Sequence, residues 1–144
     1  LGAQFPYVSC NLDFSNDVNL NYLFTSQILR DTAFRTPRNI TSNNQKKGIA
    51  PSVVIERNGE KIGIVGATTQ VLAKISSPGF TSVKGPQVDD MQALADIIQP
   101  VVDSLIAKEG VNKIILLAHL QQIANEKALA PLLNHVDIIL SGGN

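Results

Sequence analysis

Between Gly110 and Asn144 the chain alternates in a way that leaves few folds open. An apolar run from Lys113 to Ala118 stops at His119, a helical segment follows from Gln122 to Leu133, and a second apolar run from Val136 to Leu140 stops at Ser141, Gly142, Gly143 and Asn144. Strand, helix, strand is a crossover unit, which winds right-handed and lays its two strands parallel. Both runs are continuous Ile, Leu and Val stretches, the pattern of strands covered on both faces. The expected class is therefore α/β, and sites in such sheets are built on the loops at the carboxyl ends of the strands.

The upstream chain supplies the remaining pieces. Leu94, Ile97, Ile98, Val101, Val102, Leu105 and Ile106 recur at helical spacing and predict a helix from about Asp89 to Lys108, stopped by Gly110. Pro100 falls on the opposite face, where its missing amide donor is either tolerated with a mild kink or begins a second helix. Val53 to Ile55 and Ile62 to Val65 flank Asn58 and Gly59, two residues that accept the positive φ of a tight hairpin turn, so an antiparallel pair is expected. Phe5 to Cys10 reads as a strand feeding the polar loop Asn11 to Asn16. From Asp17, the spacing of Leu20, Leu23, Phe24 and Ile28 predicts a short helix to about Leu29, capped by Asn16 or Asp17. Residues 36–48 are almost free of apolar side chains and read as a surface loop or insertion. Turn signals follow at Ser76 to Gly79 and at Gly85 and Pro86.

Composition narrows the function classes. Hydrophobic residues make up 44% of the 144 and charged residues 17%, with 12 basic against 12 acidic, which suits one domain with a core and disfavours a nucleic-acid polymer as partner. No apolar run approaches the roughly 20 residues of a membrane span, and the first residues lack the basic and apolar regions of a signal peptide. Cys10 is the single cysteine and forms no internal disulfide. Gly63 and Gly66 lack the spacing of a dinucleotide fingerprint, and no nucleophile elbow occurs.

A small set of candidate site residues remains. His119 ends a buried strand at a turn, where its imidazole could bind a divalent metal or donate to a phosphate oxygen, or serve structure alone. His135 follows the last helix, a position that suits a cap or a surface role. Asn11 and Asp13 either orient a ligand from behind or cap the next helix. Ser141 to Asn144 forms a turn suited to presenting an oxygen ligand, and equally an ordinary tight turn.

Taken in order, Phe5 to Leu12, Glu56 to Thr69, Gly110 to His119 and Val136 to Gly143 resemble the calcineurin-like metallophosphoesterases of the 5′-nucleotidase branch. There the series reads as a strand ending in Ala-Asn, a hairpin with Asn-Gly-x-Lys-Ile-Gly-x-x-Gly-x-Thr-Thr, a strand ending in Ser-His or Thr-His, and a strand ending in Gly-Gly-His-x-His. The resemblance covers almost the whole chain. It implies the carboxyl half of a metallophosphatase-like α/β sandwich, with a mixed sheet, one β-hairpin and a parallel βαβ unit, so that residues 1–144 form part of a catalytic domain.

Members of the family hydrolyse phosphate monoesters, often nucleotides, with two divalent metals that clamp the phosphate. The resemblance implies His119 as one metal ligand and leaves Zn, Mn, Mg and Ca undistinguished. It also implies a bacterial parent that is periplasmic or extracellular. The family's first ligand motifs, Asp-x-His, Gly-Asp and Gly-Asn-His-Glu, lie upstream of a strand like Phe5 to Cys10 and have no counterpart here, so the chain reads as a fragment, inactive in isolation. Counting from Asp137 places the family's first Gly-Gly-His histidine on Gly143 and its second beyond the last residue; Asn144 would serve as an oxygen ligand only after a one-residue shift. Two alternatives stand beside the phosphatase reading: a lineage that gave up catalysis and kept the fold as a binding or scaffold module, and an unrelated small-molecule α/β domain.

Overall fold

Apolar runs and turn residues divide the chain as follows in a computed structural model, which describes residues 5–34 and 47–143. The strands are β1 (Tyr7–Val8), β2 (Leu12–Asp13), β3 (Leu29–Arg30), β4 (Ile49–Ala50), β5 (Ser52–Arg57), β6 (Glu60–Thr68), β7 (Ser82–Val83), β8 (Ile114–His119) and β9 (Ile138–Ser141). The helices are α1 (Leu72–Ile75), α2 (Met91–Glu109) and α3 (Ile123–Leu129), with 3₁₀ turns at Asn21–Leu23, Asp31–Phe34 and Ala130–Leu132.

Five strands form one mixed sheet in the order β3-β5-β6-β8-β9. β5 and β6 pair antiparallel through the expected hairpin, closed by Asn58 at φ 53° and Gly59 at φ 80°. β6, β8 and β9 run parallel, so the crossover unit is present. β1 pairs parallel with β4, and β2 antiparallel with β7, as small flanking ribbons.

The long amphipathic helix predicted over 89–108 is α2. Asp90 caps it by accepting from the amide of Ala93 at 3.0 Å, and Gly110 ends it in the left-handed conformation. Pro100 sits on the exposed face of one continuous helix, so no second helix begins there. The inner stripe, Leu94, Ile98, Val102 and Leu105, is fully buried and packs in one cluster with Val65, Ile114 and Leu116 of the sheet. Burying four aliphatic side chains contributes on the order of 6–12 kcal/mol before entropy is counted, which fixes the face that β6 and β8 present to the helix.

Two expectations are corrected. The helix expected from Asp17 to Leu29 is replaced by turns, one 3₁₀ turn and the strand β3. Its backbone and polar groups bond outside the segment: the Thr25 amide donates to the Ile49 carbonyl at 2.9 Å, the Gly48 amide to the Leu23 carbonyl at 2.9 Å, and Asp17 accepts from Thr81 Oγ1 at 2.8 Å. Long-range pairing outcompetes a weak local periodicity. The last helix, expected to run to Leu133, is α-helical only to Leu129, because Pro131 inside an α-helix would lose a bond and clash with the preceding turn.

The sequence predicts that β8 and β9 are covered on both faces. Only the helix side is covered among the described residues. On the other face Leu117 is 38%, Ile138 50% and Leu140 53% exposed. β1 meets that face at Gly66, near the carboxyl end of β6, where a Cβ would fall 2.1 Å from the Val8 carbonyl oxygen. The expected loop at 36–48 falls almost wholly outside the described residues.

Candidate functional site

The carboxyl edge of the sheet is built from the ends of β6, β8 and β9. Residues alternate faces along a strand. With Ile114, Leu116 and Ala118 buried under the helices, His119 emerges on the opposite face, exposed, at the last position of β8. In register it pairs with Thr68 of β6, and Ala118 pairs with Ser141 of β9. The strand-end histidine read from the sequence therefore stands clear of the core at the edge where ligands bind.

Two turns frame the imidazole. After His119 the chain reverses through Gln121, at φ 72°, into α3. After Ser141, the Gly142 amide donates to the Ala118 carbonyl at 2.7 Å and brings the glycine pair against the first turn. A Cβ on Gly142 would lie 3.2 Å from His119 Nδ1, and one on Gly143 only 2.9 Å from the backbone N and Cα of Gln121. A side chain at Gly143 would crowd the backbone of Gln121. Asn144 lies outside the described residues.

Asn11 caps no helix among the described residues. It is fully buried, and its carboxamide closes on the backbone of Thr68: Nδ2 donates to the Thr68 carbonyl at 2.6 Å and Oδ1 accepts the Thr68 amide at 2.8 Å. Ser9 adds its hydroxyl to Asn11 Oδ1 at 3.2 Å and lies 3.0 Å from Thr68 Oγ1. This polar knot fixes the residue beside His119 in the sheet. Asp13 instead accepts the Ser15 amide at 2.9 Å in a turn, a bond that holds its carboxyl below the usual range.

His135 does not join the site. It is exposed at φ 62° before the start of β9, beside Asp137, which accepts the amide of Ile114 at the start of β8. That places it at the amino edge of the sheet, one strand length from His119. No group of three or more His, Cys, Asp or Glu side chains comes together among the described residues. Cys10 is buried, and burial pushes its thiol up to about 12, which removes it as a nucleophile. The sequence reading missed Asn125 and Glu126, whose side chains hold the residue after His119; a Glu in a first helical turn is too ordinary to signal this.

No family model matches the chain. It is 31% identical over 140 residues to the trifunctional nucleotide phosphoesterase protein YfkN of Bacillus subtilis, covering 96% of this chain and 8% of that protein. Over 92 residues it is 37% identical to the 5′-nucleotidase of Diplobatis ommata, covering 64% of this chain and 14% of that protein. The 5′-nucleotidase precursor of Thermus thermophilus superposes on 98% of the chain with a TM-score of 0.66 and 29% identity, over 21% of its own length. The chain belongs to the 5′-nucleotidase family of metallophosphoesterases. Its mixed α/β sheet, with the hairpin and the parallel crossover, is the corresponding part of that family's fold. The chain thus spans from less than a tenth to about a fifth of the length of these relatives. No helix among the described residues is long and apolar enough to cross a membrane.

Proposed function

We propose that this chain is part of the catalytic domain of a metal-dependent phosphomonoesterase acting on nucleotides, and that His119 is one ligand of its divalent metal pair. The observation that carries the reading is an imidazole exposed at the carboxyl edge of β8, backed by a glycine pair that leaves room around it. The side chains present fit one imidazole corner of such a centre and do not complete it, since the described residues bring no further cluster of ligands together. Catalytic metal sites need several N and O ligands per ion, so the chain alone is inactive. When bound, such metals supply the positive charge that neutralises a phosphate and activates water.

The residues of this chain act by placement. β8 presents His119, the Asn11 clamp fixes Thr68 beside it, and Gly142 and Gly143 bring the β9 turn against the His119 turn. Counted from Asp137 the family's first histidine falls on Gly143; a one-residue shift, favoured by the crowding a side chain would meet at Gly143, sets it on Asn144. An amide oxygen there would be a weaker ligand than imidazole for Zn and an acceptable one for Mg, Mn or Ca. Substrates are nucleotides, in keeping with the named activities of the relatives. A periplasmic or extracellular location agrees with the venom 5′-nucleotidases among them.

Asparagine where the family carries histidine also favours a second reading, a lapsed enzyme retained as a binding module. Titration of Mn²⁺ into the full polypeptide and its His119→Ala variant, with a chromogenic phosphate monoester as reporter, separates the two. The enzyme reading expects the variant to lose roughly 100-fold or more in metal affinity and turnover, at least the loss seen on removing supporting groups around a metal. Unchanged metal content and turnover in the variant would overturn the ligand assignment; an inert parent would establish the lapsed reading.

A further inference from the structure

Leu120, the residue that follows His119, has both of its backbone polar groups held by side chains of α3. Its amide donates to Glu126 Oε1 at 3.2 Å, and its carbonyl accepts from Asn125 Nδ2 at 3.1 Å. Glu126 is only 4% exposed, and its second oxygen, Oε2, is buried without a hydrogen-bond partner among the described residues. Carrying a carboxyl into the interior is costly. The one hydrogen bond this carboxyl makes among the described residues is spent on the peptide next to His119. Glu126 also lines, together with Ser141, an open groove of about 330 Å³ between α3 and β9.

We propose that Glu126 is a positioning residue for His119. Its Oε1 pins the His119–Leu120 peptide through the Leu120 amide while Asn125 pins the Leu120–Gln121 peptide through the Leu120 carbonyl, so neither peptide flanking Leu120 rotates freely. The direction in which β8 delivers the imidazole is thereby fixed before any ligand arrives. On the neighbouring strand the Asn11 carboxamide holds Thr68 by the same two-point grip, so both residues of the register pair at this edge are constrained from behind. Glu126 bonds to Leu120, not to His119, and acts through that peptide. The proposal rests on the reading of His119 as a metal ligand.

The test uses the full polypeptide with Glu126→Ala, Glu126→Gln and Asn125→Ala, read by amide exchange in metal-free protein and by calorimetric titration of Mn²⁺. In Glu126→Ala the Leu120 amide should exchange at least about 10-fold faster while β6 amides keep their protection, and Mn²⁺ affinity should fall about 10–100-fold. Glu126→Gln keeps the Oε1 acceptor and should stay within about 3-fold of the parent on both measures. Asn125→Ala should move both in the same direction by less, and it supplies the measurement if Glu126→Ala fails to fold. Parent-like Leu120 exchange in the alanine variants, or a glutamine variant as impaired as alanine, would overturn the proposal. His119→Ala run alongside distinguishes the two ideas: full Mn²⁺ binding in that variant sinks the ligand reading, while Leu120 exchange in the Glu126 variants still judges the grip itself.

Discussion

Replacing Asn11 should cost more than any surface change in this chain, and the size follows from its bonds. Asn11→Ala removes the donor to the Thr68 carbonyl and the acceptor of the Thr68 amide, leaving two partly buried backbone groups unpaired. At about 1–3 kcal/mol for each orphaned group, the loss is roughly 2–6 kcal/mol. An unfolding entropy of about 2.1 cal/mol/K per residue over 144 residues gives about 0.3 kcal/mol/K, so the melting temperature should fall by about 7–20 °C. Asn11→Asp provides the sharper control. It keeps the acceptor but loses the donor, and sets a carboxylate oxygen where Nδ2 now lies 2.6 Å from the Thr68 carbonyl oxygen. Two acceptors face each other, so the ionised form is disfavoured and the folded-state pKa of the new carboxyl rises above its unfolded value. The protonated acid restores a donor. Its support is therefore fully present below the unfolded pKa near 3.9 and is lost as pH rises through the folded pKa. Thermal unfolding by circular dichroism across pH 4 to 7 reads both effects. Asn11→Ala melting within about 2 °C of the parent, or Asn11→Asp matching the parent at pH 7, would refute the two-point grip on Thr68.

Two further outcomes follow from packing and burial. Gly66→Ala places a Cβ 2.1 Å from the Val8 carbonyl oxygen, where contacts under 3.0 Å essentially never occur, so β1 must retreat by about 0.9 Å. The expected cost is about 1–3 kcal/mol in urea denaturation, and a neutral substitution would mean that β1 does not cross β6 there. Cys10, its thiol raised from 9.0 to about 12 mainly by burial, should resist iodoacetamide in native protein at pH 8 and react once unfolded. Because the folded state holds the proton longer, stability is intact below pH 9.0 and should fall by up to about 1.4 kcal/mol per pH unit towards 12. Cys10→Ser should remove that slope.

Where local pattern and tertiary demand agree, the chain could be read directly. The Asn58 and Gly59 turn, the stripe from Leu94 to Leu105 and the crossover from Ile114 to Ser141 each carry their own periodicity or turn chemistry, and each is found in place. Residues 17–29 could not be read this way, since their partners are Gly48, Ile49 and Thr81, distant in sequence and invisible to a window of a dozen residues. At the site, His119 declared itself by ending a strand. The grips on Thr68 and Leu120 did not, because a buried Asn or Glu looks in sequence like any cap or first-turn acid.

The mixed character of the sheet also sets an order of assembly. β5 and β6 are joined by two residues and can zip on the microsecond scale, whereas β6 can meet β8 only after the long excursion through α1, β7 and α2 has closed. Within the five-stranded sheet this is the longest closure, and its entropy makes the β6–β8 pairing the slowest there. β6 is thus the template on which the remainder condenses, and His119 reaches its position opposite Thr68 only when the slow pairing is complete to its last rung.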